Sequence, residues 1–173
     1  TEVEFVGARR ESYTPSSRNP HVEPGTLEDD QRRRDFTINA MAWSVNGATF
    51  GELVDPFDGM YDLEECIIRT PCEPERTFSD DPLRMMRAVR FASQLGFDID
   101  DETFEAIQAQ AHRINIVSKE RIIVELTKIM ASPVPSVGLD LMRLTGLMKH
   151  VLPELDRMAG VERRGKHGHK DNF

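Results

Sequence analysis

At Glu73 the chain changes character. Before it, short alternating apolar runs are separated by turns; from Glu73 on, strand signals stop and helical periodicity takes over. Pro82 to Gly96 reads as an amphipathic helix ended by Gly96. Its Met85, Met86, Val89 and Ala92 cover one side, which is expected to be core. Asp101 to His112, Lys119 to Ala131 and Ser136 to Leu147 read as three further helices, the last two separated by Pro133 and Pro135. Ser118 is a cap without its box partner, because Arg121 rather than Glu stands at the third helical position. The implied fold class is α+β for about 70 residues followed by an all-α part. A chain of 173 residues holds one ordinary domain or two small ones and buries a core without staples.

Within the first part, Glu2 to Ala8 reads as a strand and Ser12 to Gly25, with three prolines, as a long loop. Thr26 is placed to cap a helix with Asp29 in its first turn, and the run to Trp43 reads helical with a break near Asp35. Thr49 to Val54 is a second strand, Asp55 to Gly59 a turn, Tyr61 to Glu65 a short helix and Ile67 to Arg69 a short strand.

The net charge of -8 argues against a protein held to nucleic acid by charge excess alone, though not against a local basic patch. No apolar run approaches the ~20 residues of a membrane span. Cys66 and Cys72 make neither a disulfide framework nor a zinc site, so a reducing cytoplasm is expected. The opening residues do not read as a signal peptide, and both ends read as cut, as in a fragment.

Two segments carry chemistry. In Arg32-Arg33-Arg34-Asp35-Phe36-Thr37-Ile38-Asn39, three successive arginines are costly to bring together without an anion nearby. On a helix Asp35 and Asn39 share a face. Such a set can hold a triphosphate, a ribose hydroxyl and a base edge, or it can be a solvated basic turn. In Phe78-Ser79-Asp80-Asp81-Pro82-Leu83-Arg84-Met85-Met86-Arg87, Asp81, Arg84 and Ala88 lie on one helix face with Arg87 at its edge. There Ser79 or an Asp can simply cap the helix that Pro82 opens.

These segments, taken in order with L-V-D-P-F-D-G between them, resemble the class II tRNA nucleotidyltransferase (CCA-adding enzyme) and bacterial poly(A) polymerase family. That family belongs to the DNA polymerase β-like nucleotidyltransferases. The resemblance covers nearly the whole chain: R-R-D-F-T-I-N-A-M-A, then the Asp55–Gly59 turn, then D-D-P-L-R-M-M-R-A-V-R-F-A, then E-R-I-I-V-E-L-T-K-I. The fourth motif of the family reads Glu-Asp-x-x-Arg, and here Asp80 replaces its glutamate. G-K-H-G-H-K-D-N-F resembles the lead-in to an HD-type domain.

The resemblance implies a truncated nucleotidyltransferase head over 1–72, a helical nucleotide- and RNA-binding neck over 73–157, and a linker with the start of an HD-type domain over 158–173. It implies template-independent addition of CMP and AMP from CTP and ATP to a tRNA 3′ end. Poly(A) polymerase, a CC- or A-only adding enzyme, and a non-catalytic RNA-binding module are the alternatives. Asp81 and Arg84 are expected to read the base: cytosine and adenine each present an amine beside a ring-nitrogen acceptor, which a carboxylate and a guanidinium complement. Arg34 and Asp35 are expected at the triphosphate and ribose, Asn39 near the sugar, and Arg87 at the helix or a phosphate. Lys119, Arg121 and Lys128 are expected to face RNA, with Arg163, Arg164, Lys166 and Lys170 adding charge beyond them; Arg121 and Glu125 can also pair with each other. The Asp55–Gly59 turn is either a hinge or only a tight turn. The family's Asp-x-Asp motif, which holds two magnesium ions, is not found in this chain. No catalytic carboxylate and no metal ligand is therefore assigned, neither Glu4 nor His167 and His169, and the chain by itself is expected not to transfer nucleotides.

Overall fold

The computed structural model describes residues 2–14, 17–158 and 160. The expected HD lead-in, with His167, His169 and the four basic residues from Arg163 to Lys170, lies outside them.

Two N-terminal expectations are overturned. Residues 2–8 form no strand, and Val3, Phe5 and Val6 are exposed. A strand exists only by pairing, and beyond the Ala8 carbonyl, which accepts the Gly25 N–H at 3.1 Å, no ladder joins them to a described segment. The expected loop is instead an antiparallel hairpin of β1 (Arg9–Thr14) and β2 (Ser17–Pro24), with Glu11 opposite Val22. Arg10 and Glu23 face each other across it at 2.8 Å, and a two-stranded ribbon has free edges on which prolines cost little.

α1 (Leu27–Arg32) starts as expected at Thr26, whose hydroxyl accepts from the Asp29 N–H while Asp29 reaches back to the Thr26 N–H. It ends sooner than expected. A single 3-10 turn (Thr37–Asn39) follows, then β3 (Ala42–Trp43), paired antiparallel with β4 (Leu53–Val54). β4 is the remnant of the longer strand expected from Thr49. The Asp55–Gly59 turn is present, and α2 (Gly59–Glu64) springs from it. Gly59 is required by close approach: a Cβ there would lie 2.3 Å from the Thr37 carbonyl oxygen.

β5 (Ile67–Ile68) does not end the strands. It pairs in parallel with β6 (Asp98–Ile99), which a two-residue strand gives no periodicity to reveal. α3 (Pro74–Asp80) is also unexpected; it starts at Pro74 and buries Thr77 and Phe78. Pro82 drives the preceding Asp81 out of the helical region, to φ -142 and ψ 100, so α3 stops and α4 (Leu83–Leu95) begins. Ser79 therefore lies inside α3 and is no cap. Gly96, at φ 71, ends α4.

α5 (Asp101–Gln110), α6 (Lys119–Met130) and α7 (Pro135–Leu144) match the expected helices closely, with a 3-10 run (Ala111–Ile116) after α5 and short α8 (Met148–Val151) and α9 (Pro153–Asp156) at the end. Ser118 stands at the N-cap of α6, but its side chain makes no capping bond. One buried cluster unites both parts: Phe36 and Ile68 from the first pack with Met85, Met86, Ile107 and Ile129 of the helices. Among the described residues no helix is long and apolar enough to cross a membrane.

Candidate functional site

The three arginines after α1 have three different fates. Arg32 reaches back one turn to Glu28 at 2.6 Å. Arg33 is held by Asp30 at 2.6 Å and by Glu11 of β1 at 3.1 Å, which ties the hairpin to α1. Arg34 shares Asp30 at 3.2 Å and keeps 47% of its side chain exposed. Burial pushes the Asp30 carboxyl up, but hydrogen bonds and charge from Arg33 and then Arg34 outweigh it and hold the group below the ordinary aspartate value.

Asp35 and Asn39 come together as expected, although through the 3-10 turn and not through an α-helix: Asn39 Nδ2 donates to Asp35 Oδ1 at 3.2 Å. The Phe36 N–H donates to the same oxygen at 3.0 Å. Oδ2 takes Arg87 Nε at 2.7 Å and Nη2 at 2.6 Å. Arg87 on α4 is thus joined to Asp35, fifty-two residues earlier, and its guanidinium also stands 5.5 Å from the Phe91 ring. Phe91 in turn meets Phe36 edge-on at 5.7 Å.

Asp81 sits at the break between α3 and α4, its side chain 27% exposed. Oδ1 accepts the Leu83 N–H at 3.2 Å, so the capping role is real. Oδ2 accepts from Arg121 Nη2 at 2.7 Å. The expected Arg121–Glu125 pair is not formed. Glu125 is buried and takes Arg90 Nε at 2.5 Å. Arg84 donates to the Arg33 carbonyl at 2.6 Å and to the Thr77 carbonyl at 3.4 Å. The Arg33 carbonyl stands at the C-cap of α1, where acceptors are left over and a cation is favoured, while the Thr77 carbonyl also takes the Asp81 N–H at 3.4 Å. Neighbouring Asp80 is half-buried; burial raises its carboxyl above the ordinary value, Arg76 and Arg84 oppose this, and Glu11 adds to it.

The structure therefore brings Arg34, Asp35, Asn39, Arg84 and Arg87 into one region through Arg33 and Asp35, with Asp81 beside Arg84 in sequence. It sets Lys119 and Lys128 on the exposed side of α6. Asp55 acts as a cap: its two carboxylate oxygens accept the Gly59 and Met60 N–H groups at 2.8 and 2.9 Å. An open cleft of about 590 Å³ is lined by Thr37, Phe57, Tyr61, Asp62 and Arg69, and none of the expected nucleotide contacts is among its lining residues. Sequence reasoning missed the Arg33 and Thr77 carbonyls and the Asp81–Arg121 bond; no local signal marks a pair 40 residues apart. Among the described residues no group of three His, Cys, Asp or Glu is arranged to hold a metal ion, Glu4 included. The residues described do not fit a magnesium site.

An α+β segment packed on a helical neck, with a carboxylate and a guanidinium at the foot of the first long neck helix, defines the nucleotidyltransferase head-and-neck class. The chain matches the "Poly A polymerase head domain" family over residues 1–69 and the "Probable RNA and SrmB- binding site of polymerase A" family over 96–158. It is 42% identical over 164 residues to a CCA-adding enzyme of Ligilactobacillus salivarius, covering 94% of this chain and 40% of that protein. It is 40% identical over 157 residues to the mitochondrial CCA tRNA nucleotidyltransferase of Candida glabrata, covering 84% of this chain and 28% of that protein. Among solved structures it resembles the Bacillus stearothermophilus CCA-adding enzyme in complex with CTP, with a TM-score of 0.69 and 42% identity over 73% of this chain and 31% of that one. A CCA-adding enzyme in an apo form gives a TM-score of 0.78 at 33% identity, over 86% of this chain and 35% of that one. The chain belongs to the family of poly(A) polymerase-type and CCA-adding RNA nucleotidyltransferases. It spans well under half the length of these relatives.

Proposed function

We propose that this chain is the nucleotide-reading and RNA-binding part of an enzyme that adds CMP and AMP to tRNA 3′ ends without a template. The observation that carries this reading is the pairing of a partly open acceptor with a donor at the α3–α4 break: Asp81, and Arg84 pinned through the Arg33 and Thr77 carbonyls. Pinning removes the rotational freedom that would blur a base-edge readout. Cytosine and adenine satisfy this pair. Uracil and guanine set an oxygen against the Asp81 carboxylate with no proton between them, which leaves buried polar groups poorly matched.

Around it, Arg34 offers charge to the triphosphate. Asp35 acts by holding Arg87 and Asn39 towards phosphate and sugar, because its own oxygens already accept four donor contacts. Residues 1–72 serve as the head part and 73–157 as the neck, where Lys119 and Lys128 face the RNA phosphates. Relatives named CCA-adding enzymes favour this reading over a poly(A) polymerase. Magnesium is the proposed metal of the reaction, with no ligand among the described residues, and the cytoplasm is the proposed compartment. Titrating the chain with CTP, ATP, UTP and GTP by calorimetry tests the reading. CTP and ATP are expected to bind at least about ten-fold more tightly than UTP and GTP. Equal binding of all four rejects it.

A further inference from the structure

We propose that Arg121 is a positioning residue for base choice, and that it fixes the Asp81 carboxylate instead of contacting RNA. This rests on the base-reading role given to Asp81 above. The Asp81 carboxylate is held by two bonds from different elements: the Leu83 N–H of α4 on Oδ1 at 3.2 Å and Arg121 of α6 on Oδ2 at 2.7 Å. The first is long and leaves the carboxylate free to turn; the second, charge-assisted and short, sets its plane.

Arg121 can do this because α6 is itself located. One turn further along it, Glu125 is buried and bonded to Arg90 of α4 at 2.5 Å. Beyond the helix end, the Ser132 and Ser93 hydroxyls meet at 2.6 Å. α4 and α6 are thus clamped by a buried pair, and at the rim the Asp81–Arg121 pair, whose members are 27% and 46% exposed, joins α6 to the α3–α4 break. An oxygen of a carboxylate has two lone-pair sites, so Arg121 leaves Asp81 an acceptor for an incoming amine. It also offsets the charge of Asp81, so an exocyclic amine meets an oriented acceptor and not a mobile anion.

The test measures binding of CTP, ATP, UTP and GTP to the chain and to R121Q, R121K, D81A and D81A/R121Q, with unfolding midpoints as a check on folding. R121Q is expected to narrow the preference for CTP over UTP by about ten-fold. R121K, which keeps one charged donor, is expected to recover part of it. In the D81A background R121Q is expected to change nothing further, because both act through one carboxylate. If R121Q leaves the nucleotide preference intact and instead weakens binding of tRNA lacking its 3′ terminus, Arg121 is an RNA contact and the proposal fails. If D81A narrows the preference and R121Q does not, positioning fails alone. If D81A itself has no effect on preference, or the unsubstituted chain binds no nucleotide, the base-reading function fails and this proposal with it.

Discussion

Asp35 and Asp81 stand in comparable settings, each reached by an arginine of a distant helix, yet their surroundings differ in one decisive way. The Asp35 side chain is 8% exposed and its oxygens accept contacts from the Phe36 N–H, Asn39 and two nitrogens of Arg87. The Asp81 side chain is 27% exposed and, among the described residues, accepts from the Leu83 N–H and Arg121. A carboxylate with every oxygen engaged and little solvent around it stabilises a junction. One that is half-engaged and open can take up a ligand's donor. Within one small region the chain therefore carries one aspartate engaged in a junction and another with acceptor capacity left over, as the proposed base reading requires.

The largest effect is expected from substitution at Asp35. Asp35→Ala leaves Arg87 and Asn39 without their partner, and removal of one member of a largely buried pair costs about 3 kcal/mol. The loss is measured by urea unfolding; a change below ~1 kcal/mol rejects the junction role. Asp81→Ala should act in the opposite sense, on choice more than on stability. Its capping and rim contacts are worth ~1 kcal/mol, while the CTP-over-UTP binding ratio should narrow by about ten-fold. If stability falls and the ratio holds, Asp81 is only a cap.

A smaller effect concerns Asp80, whose carboxyl is raised chiefly by burial. The folded chain then holds the Asp80 proton more tightly than the unfolded one does. Asp80 thus disfavours folding once the pH rises from the ordinary aspartate value through its folded one. Asp80→Asn should raise the unfolding midpoint at pH 7, and the gain should vanish at pH 3, where both states carry the proton. A gain that persists at pH 3 would show that burial of the charge is not its origin. The smallest effect is expected at Ser79, an exposed residue inside α3. Ser79→Ala should alter stability by no more than about 0.5 kcal/mol, not the ~1 kcal/mol of a lost cap; thermal unfolding decides between them.

Local signals were legible wherever the physics is local. Thr26 and Asp29 close a capping box over three residues, Gly96 stops α4 because a glycine accepts a positive φ, and Met85, Met86 and Val89 face the core by helical spacing alone. The ordered motifs around Arg34, Asp35, Asp81 and Arg84 likewise pointed to the family. What the sequence left open depends on partners far along the chain. Nothing near Arg9–Pro24 says that its two halves pair with each other, and nothing near Glu2–Ala8 says that it forms no strand. Ile67 and Ile68 become a strand only because Asp98 and Ile99 arrive beside them. Glu125 lies four residues from Arg121, where local spacing predicts a pair. It turns inward to Arg90, while Arg121 crosses to Asp81. Helical periodicity determines which side of α6 faces α4, but the charge partners across that interface are chosen by the packed distance between the two helices, and that distance exists only in the folded chain.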